Sequence, residues 1–308
     1  MPVIAVAGSG DLSRYFSEEF TKYGHEVIIL TRREKSVFQT IPNVTQRVTD
    51  YTVESLTQAL GQSEVLVSAI LDYTPSYIDV HLRLIEACKL SPRCKQFIPS
   101  EYGGNIEKHP DQPGFYQSHE IVRTALREQK ELHWTLVCVG WLIDYIVPEQ
   151  NRFLRDIGEA FPVNLAERSI VLPGTGREPI NVVAARDVAK ALAALFKNVP
   201  GSAWEPYLYI TAEKTTWEDV TEAVQARYPN VKFSFKKKSL DQLLKTLRES
   251  GDEDERILAQ YQIFSVSHAA SFDAEKVSAQ RAKYFKDIHF RTVEEVLDET
   301  EKNPEVII

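Results

Sequence analysis

The chain has 308 residues, of which 43% are hydrophobic and 26% are charged, and its formal net charge is −8. This composition is typical of a globular protein with a substantial core, and it excludes collagen, coiled coil and disorder as descriptions of the whole chain. The acidic balance lacks the overall basic character of a nucleic-acid-binding protein. Since the sequence has neither an apolar run of about 18 residues nor a signal-peptide pattern, we expect a cytoplasmic protein without a membrane partner.

The first half of the chain alternates short apolar segments with amphipathic ones. Apolar strands of this length alternating with helices predict parallel β-α-β units with right-handed crossovers. The predicted strands are Pro2–Ala7, Glu26–Leu30, Val44–Val48, Glu64–Ile70, Lys95–Ile98 and His133–Val139. The predicted helices are 11–23, Val53–Leu60, Ser76–Cys88 and 115–129.

The pattern after about residue 150 is less regular. Residues 183–197 predict a strong helix, with Asp187 and Lys190 on its wetter side. The acidic stretch Gly251–Arg256 predicts an exposed loop. We therefore expect an α/β protein in two parts. Residues 1–150, with 183–211, form a doubly wound parallel sheet, and the rest of 151–308 forms a smaller α+β domain.

A glycine-rich turn follows the first predicted strand. Gly8 and Gly10 occupy the first two places of a G-x-G-x-x-G pattern, and Ser13 takes the third. The first glycine permits a tight turn and the second lets the backbone approach a pyrophosphate, while the small serine still lets the helix pack on the strand. Because a strand precedes this turn and a helix follows it, the sequence predicts a dinucleotide site at the helix N-terminus.

The end of the second predicted strand indicates which dinucleotide is bound. An acidic residue there would bind the ribose 2′-hydroxyl of NAD, but the sequence reads Thr31-Arg32-Arg33 and only then Glu34. Two guanidinium groups suit a 2′-phosphate, which accepts paired charged hydrogen bonds. We therefore predict NADP(H) as the cofactor. The three cysteines have no C-x-x-C spacing and the seven histidines have no H-x-x-x-H pair, so no metal site is predicted.

Several phrases are similar to those of one known family. Lys95-Gln96-Phe97-Ile98-Pro99-Ser100-Glu101-Tyr102-Gly103 is the most specific, and the glycine turn, Thr31-Arg32-Arg33, Asp50-Tyr51 and Arg186-Asp187-Val188-Ala189 also match. The chain resembles the NmrA-like and isoflavone reductase-like atypical short-chain dehydrogenases, particularly their fungal members, over nearly its whole length. The resemblance implies an NAD(P)-binding Rossmann domain and a smaller C-terminal domain that forms the other wall of a substrate cleft.

Ligands of such sheets lie at the carboxyl ends of the strands. We therefore predict that residues at these ends bind the cofactor: Gly8, Gly10, Asp11, Leu12, Thr31, Arg32, Arg33, Ser68, Ala69, Ile70, Ser100, Glu101, Val139 and Gly140. For Glu101 a structural role in holding loop N–H groups is the more expected one. Aromatic residues nearby are predicted to contact substrate: Tyr73, Tyr77, Tyr102, Trp141 and Tyr145.

The catalytic pattern departs from the family. By the resemblance, a lysine is expected early in the helix after the Ser-Glu-Tyr-Gly segment, and its position corresponds to Ser118 or His119. Neither is lysine. His119 can serve as a general acid near neutral pH, and Tyr116, Ser118 and Tyr102 are further candidates, directly or through a bound water.

Three functions remain open at this point. The first is NADP(H)-dependent reduction of a C=N, C=C or C=O bond in an aromatic or heterocyclic secondary-metabolite intermediate such as an alkaloid, with or without ring formation. The second is a cofactor-bound cyclase or isomerase that performs a rearrangement or cycloaddition without net redox change. The third is a redox-silent NADP sensor of the NmrA type that binds a protein partner. The expected partner is otherwise a small molecule, and a homodimer is one alternative for the oligomeric state.

Overall fold

The computed structural model describes residues 1–110, 117 and 119–308. Its strands are β1 (Val3–Ala7), β2 (Glu26–Thr31), β3 (Val44–Val48), β4 (Val65–Ser68), β5 (Gln96–Ile98), β6 (His133–Trp134), β7 (Leu136–Cys138), β8 (Trp141–Leu142), β9 (Val163–Asn164), β10 (Ser169–Pro173), β11 (Pro179–Val183), β12 (Tyr207–Tyr209), β13 (Glu213–Thr216) and β14 (Ser234–Lys238). Its helices are α1 (Asp11–Lys22), α2 (Val53–Leu60), α3 (Ser76–Leu90), α4 (Glu120–Glu128), α5 (Ala185–Asn198), α6 (Trp217–Arg227), α7 (Leu240–Glu249), α8 (Glu253–Val266), α9 (Ala274–Tyr284) and α10 (Val293–Lys302).

Six parallel strands form the main sheet in the order β3-β2-β1-β4-β5-β6. Strand β7 follows β6 after one residue and pairs in parallel with β12. All six predicted strands are present, and the beginning of the helix predicted at 115–129 lies outside the described residues. The fold is an α/β structure of the NAD(P)-binding Rossmann type, as predicted.

Helices cover both faces of this sheet. Along β1, Ile4 and Val6 point into a core with α1 and α5, whereas Ala5 and Ala7 point into a second core with α2, α3 and α4. This alternation follows from the period-two geometry of a strand whose two faces are both buried. As a result, the carboxyl ends of the parallel strands reach one edge of the sheet.

The C-terminal part has a third core of its own. Two small sheets, ordered β13-β11-β8 and β14-β10-β9, enclose it together with α6, α8 and α10. Trp141, Phe161 and Trp217 pack edge-to-face at its centre. Strand β8 follows β7 after two residues and pairs with β11, so the chain enters this core at the carboxyl end of β7.

The prediction that Asp187 lies on the wetter side of its helix is wrong. Its side chain is fully buried and accepts hydrogen bonds from the backbone N–H of Arg291, at 2.8 Å, and from the Arg291 Nε, at 3.1 Å. Helix α5 is covered on almost all sides, with Lys190 partly exposed. A buried carboxylate of this kind needs a charged partner, and the arginine comes from more than one hundred residues away.

Candidate functional site

A cleft of about 850 Å³ lies at the carboxyl edge of the main sheet. We call it the central cleft. Its lining comes from residues 8–12, 31–33, 69–73, 100–103, 140–142 and 154–157, together with Lys35, Tyr51, Tyr77, Val80, His119, Tyr145, Tyr261 and Phe264. This is the position at which open α/β sheets bind ligands.

The glycine turn fits a phosphate group. Gly8 has φ +99°, and a Cβ there would approach the Ala69 carbonyl oxygen at 3.2 Å, so a side chain is disfavoured. A Cβ on Gly10 would meet no described atom within 4 Å and would extend into the cleft. Gly10 caps α1 without a side-chain hydrogen bond, which leaves first-turn N–H groups for an anion. The buried Ser13 donates from Oγ to the Gly8 carbonyl at 3.0 Å, so it stabilises the turn.

Tyr51 contacts the glycine turn, and the sequence did not predict it as a site residue. Its hydroxyl accepts from the Gly8 N–H at 3.0 Å and donates to the Leu30 carbonyl at 2.7 Å, and the residue has φ +63°. The Arg32 guanidinium lies 5.7 Å from the centre of its ring. Tyr51 thus ties the ends of β1 and β2 together. Its role depends on contacts more than twenty residues away, which no local pattern reveals.

Positive charge dominates the end of the cleft beside β2, which we call the cofactor end. Arg32 and Arg33 are exposed, and neither forms a salt bridge with a described residue. Lys35 lines the cleft and donates from Nζ to the Ser9 carbonyl at 2.6 Å, whereas Glu34 is exposed and does not line it. These charges suit a 2′-phosphate, and Glu34, the acidic residue that follows the two arginines in the sequence, lies outside the cleft lining.

Two predicted cofactor residues do not line the cleft. Ser68 is the last residue of β4 and Val139 directly follows β7; both are fully buried, and the lining begins one residue later, at Ala69 and Gly140. Asp11 lines the cleft, but its carboxylate accepts from Arg155 Nε at 3.1 Å. The other predicted cofactor residues, which are Gly8, Gly10, Leu12, Thr31, Arg32, Arg33, Ile70, Ser100 and Glu101, all line it.

The opposite end of the cleft, which we call the reaction end, contains His119. This residue lies at the N-cap of α4 and is 8% exposed. Its Nδ1 lies 3.3 Å from Oε2 of Glu101, and its ring lies parallel to that of Tyr77, with centroids 3.6 Å apart and planes 4° apart. The other two candidates in this segment, Tyr116 and Ser118, lie outside the described residues.

Glu101 forms a buried ion pair, and among the described residues the hydrogen-bond partners of its carboxylate are side chains and not the loop N–H groups that were predicted. Arg123 donates from Nε to Oε1 and from Nη2 to Oε2, both at 2.9 Å. Burial alone would raise the pKa of Glu101, but the Arg123 guanidinium and the His119 ring outweigh burial and lower that pKa to about 2. The side chain is therefore a carboxylate at neutral pH.

Tyr77 and Tyr102 line the cleft, but their rings and hydroxyls have protein partners. The Tyr77 ring lies between the rings of His119 and His81, and its hydroxyl donates to the Ser100 carbonyl at 3.0 Å. The Tyr102 hydroxyl donates to the Ser68 carbonyl at 2.9 Å, and burial raises its pKa well above the ordinary range. Both residues line the cleft, so their predicted contact with substrate stays a prediction, while the faces of the Tyr77 ring are covered by the two histidines.

Aromatic side chains from the C-terminal part complete the reaction end. Tyr261 and Phe264, both on α8, lie beside Trp141, with ring centroids 6.0 and 5.4 Å from it. The hydroxyls of Tyr73 and Tyr261 contact each other, and Tyr145 packs on Phe161. Tyr73, Trp141 and Tyr145 were predicted here. Tyr261 and Phe264 were not, because nothing in the local sequence distinguishes them from core aromatic residues.

Fold and cleft together define an α/β protein with a dinucleotide-type phosphate turn and an adjoining aromatic cavity, as in NAD(P)-binding reductases. The family model described as the NmrA-like family matches residues 2–297, and the chain belongs to this family. It is 45% identical over 307 residues to a protein of Arthroderma benhamiae named oxidoreductase swnR, with 99% of each chain covered. A protein of the same name from Metarhizium robertsii is 44% identical over the same coverage.

Solved structures share the same fold at low sequence identity. An isoflavone reductase superposes with a TM-score of 0.76 and 17% identity, covering 97% of this chain and 99% of the other. The NADPH-dependent quinone oxidoreductase QOR2 of Escherichia coli, solved with NADPH, superposes with a TM-score of 0.72 and 18% identity, covering 97% and 100%. Among the described helices, none has the length and apolar character needed to cross a bilayer.

Proposed function

We propose that the protein is an NADP(H)-dependent oxidoreductase. Its substrate is an aromatic or heterocyclic secondary-metabolite intermediate, such as an alkaloid precursor, with a C=N, C=C or C=O bond to be reduced. One observation carries the proposal. A single cleft combines a phosphate turn and exposed arginines at one end with aromatic side chains and a histidine at the other. The names of the two curated fungal relatives also support an oxidoreductase.

The residues of the cofactor end fit NADP(H). The N-terminus of α1 and the open face of Gly10 would hold the pyrophosphate, and Arg32 and Arg33 would hold the 2′-phosphate. When bound, the cofactor supplies a hydride from its nicotinamide ring. The chain supplies the orientation of the reactants and a largely apolar chamber.

His119 is the residue that we assign to proton transfer. It lines the cleft and is one of the two positions, with Ser118, to which the family resemblance assigns a lysine. A histidine can deliver a proton to the atom beside the carbon that receives the hydride. Tyr102 is a poorer candidate because its hydroxyl already donates to Ser68 and burial raises its pKa.

The proposal is tested by NADPH consumption with a panel of cyclic iminium ions, enones and ketones that carry aromatic or heterocyclic rings. We expect substrate-dependent oxidation of NADPH with at least one compound class and weaker use of NADH. A cyclised or rearranged product without loss of NADPH would support the cyclase alternative. Tight NADPH binding without conversion of any compound, combined with capture of a protein partner, would support the sensor alternative.

A further inference from the structure

We propose that Glu101 is a positioning residue that fixes the tautomer of His119, and that Tyr77 holds the plane of the same ring. This inference rests on the proposed role of His119 in proton transfer. The structure brings the three residues together from the end of β5, the start of α4 and the first turn of α3. Glu101 and Tyr77 would act through His119 and make no bond to the reacting atoms.

Arg123 holds Glu101 as a carboxylate. The carboxylate is fully buried and both of its oxygens accept from Arg123 at 2.9 Å, so the ion pair is neutral overall. Since a carboxylate can only accept, the contact between Oε2 and Nδ1 requires the proton on Nδ1. The neutral imidazole then carries its lone pair on Nε2.

Tyr77 fixes the orientation of this imidazole. The two rings are parallel within 4° at a centroid distance of 3.6 Å. Tyr77 is itself held by its hydroxyl bond to Ser100 and by stacking on His81, whose ring centroid lies 3.9 Å away. His81 is fully buried, its Nδ1 lies 2.8 Å from the Tyr77 carbonyl, and burial lowers its pKa to about 4. The three stacked rings therefore resist rotation of His119 away from Glu101.

The arrangement assigns each nitrogen of His119 a role in the reduction. The proton bonded to Nε2 of the imidazolium is transferred to the substrate atom next to the carbon that accepts hydride. The N–H bond electrons remain on Nε2, and the ring becomes neutral with its proton on Nδ1. Glu101 accepts from that N–H before and after transfer, so no second proton has to move.

The proton positions can be measured directly by NMR on the full chain with isotope-labelled histidine. Spectra recorded at about pH 9, above the ordinary histidine range, report the neutral tautomers. His119→Gln identifies the His119 signal. We expect the Nδ1–H form for His119 in the wild type. In Glu101→Gln an amide N–H can face Nδ1, and we expect the population to move to the Nε2–H form. His81 is the internal control, because its bond to the Tyr77 carbonyl keeps it Nδ1–H in both proteins.

A kinetic measurement separates positioning from a purely structural role. We expect Glu101→Gln to lower kcat by about 10- to 100-fold, the range for a misplaced reacting group, with an unchanged Kd for NADPH. An Nε2–H tautomer in the wild type would overturn the inference, as would an unchanged tautomer and an unchanged kcat in Glu101→Gln. If that variant does not fold, the wild-type tautomer decides alone. If His119→Gln keeps the wild-type rate, the assigned role of His119 in the proposed function fails, whatever the tautomer.

Discussion

The two ends of the central cleft are built in different ways. The cofactor end comes mainly from residues 8–12, 31–33 and Lys35, which belong to a single strand-helix-strand unit and the residues that follow it. The reaction end combines Glu101 and His119 with aromatic residues from β8 and α8, so its parts are spread over more than 150 residues. The proposed phosphate recognition would thus depend on local backbone geometry, whereas the proposed proton transfer would depend on contacts that only the complete fold creates.

The cofactor end and the reaction end of the cleft also differ in the exposure and pairing of their charged side chains. The arginines of the cofactor end are exposed and without a salt bridge among the described residues, whereas the ion pair of the reaction end is buried and mutually neutralised. The first arrangement attracts an anionic ligand, and the second holds a neighbouring side chain in place. Variants at the two ends should therefore affect different measured quantities.

The largest expected effect is on turnover. His119→Gln should lower kcat by about 10²- to 10⁴-fold, the usual contribution of a general acid, and leave the Kd for NADPH nearly unchanged. His119→Lys restores the type of proton donor that the family resemblance implies, and it should retain more activity than the glutamine variant. Equal activity of the two variants would contradict the assigned proton transfer.

The second expected effect is on acid stability. Because the pKa of Glu101 is lowered to about 2, the folded state keeps a carboxylate that the unfolded chain protonates near pH 4.5. The stability gained from this shift is full above that pH and is lost as the pH falls toward 2. The contribution of this shift to the free energy of unfolding is about 3 kcal/mol at most. In denaturant unfolding between pH 5 and pH 2.5, the free energy of unfolding should therefore fall less steeply with falling pH in Glu101→Gln than in the wild type.

The third expected effect is on cofactor choice. Arg32→Ala should raise the Kd for NADPH by about 10- to 100-fold, as expected for loss of a charge-assisted hydrogen bond, and should change the Kd for NADH little. Glu34→Gln is the matched control, because Glu34 is exposed on the same loop but does not line the cleft. A similar loss for both cofactors in Arg32→Ala would show that Arg32 does not recognise the 2′-phosphate.

The smallest expected effect concerns the ring stack. Tyr77→Leu removes the surface that holds His119 and should lower kcat by about 10-fold. Tyr77→Phe keeps the stacked ring and loses the hydroxyl bond to Ser100, so it should lose less activity. The comparison of kcat for the two variants tests whether ring orientation matters, and a greater loss in the phenylalanine variant would contradict it.

The sequence predicted those features of the structure that depend on local residue patterns. The strands of the main sheet, the glycine turn and the two arginines all follow from short segments and their spacing. The predicted strands Glu64–Ile70 and His133–Val139 extend past the ends of β4 and β7, because those ends are set by pairing with neighbouring strands.

The sequence did not predict features that depend on contacts between segments far apart in the chain. The loop predicted at Gly251–Arg256 contains the N-terminus of α8, because Asp252 caps the helix and acidic residues stabilise its first turn. Helix α8 buries Gln262 and Ser265 together with apolar residues, which obscures its amphipathic pattern. The contribution of Tyr261 to the cleft could not be predicted without that helix.

The central claim is that one cleft places NADP(H) and His119 on the two sides of a substrate. A crystal structure with bound NADP⁺ tests it most directly. We predict the adenosine 2′-phosphate on Arg32 and Arg33, and the nicotinamide ring facing the aromatic chamber that His119 lines. A 2′-phosphate away from both arginines, or a nicotinamide separated from His119 by packed side chains without an open cavity, would contradict the account.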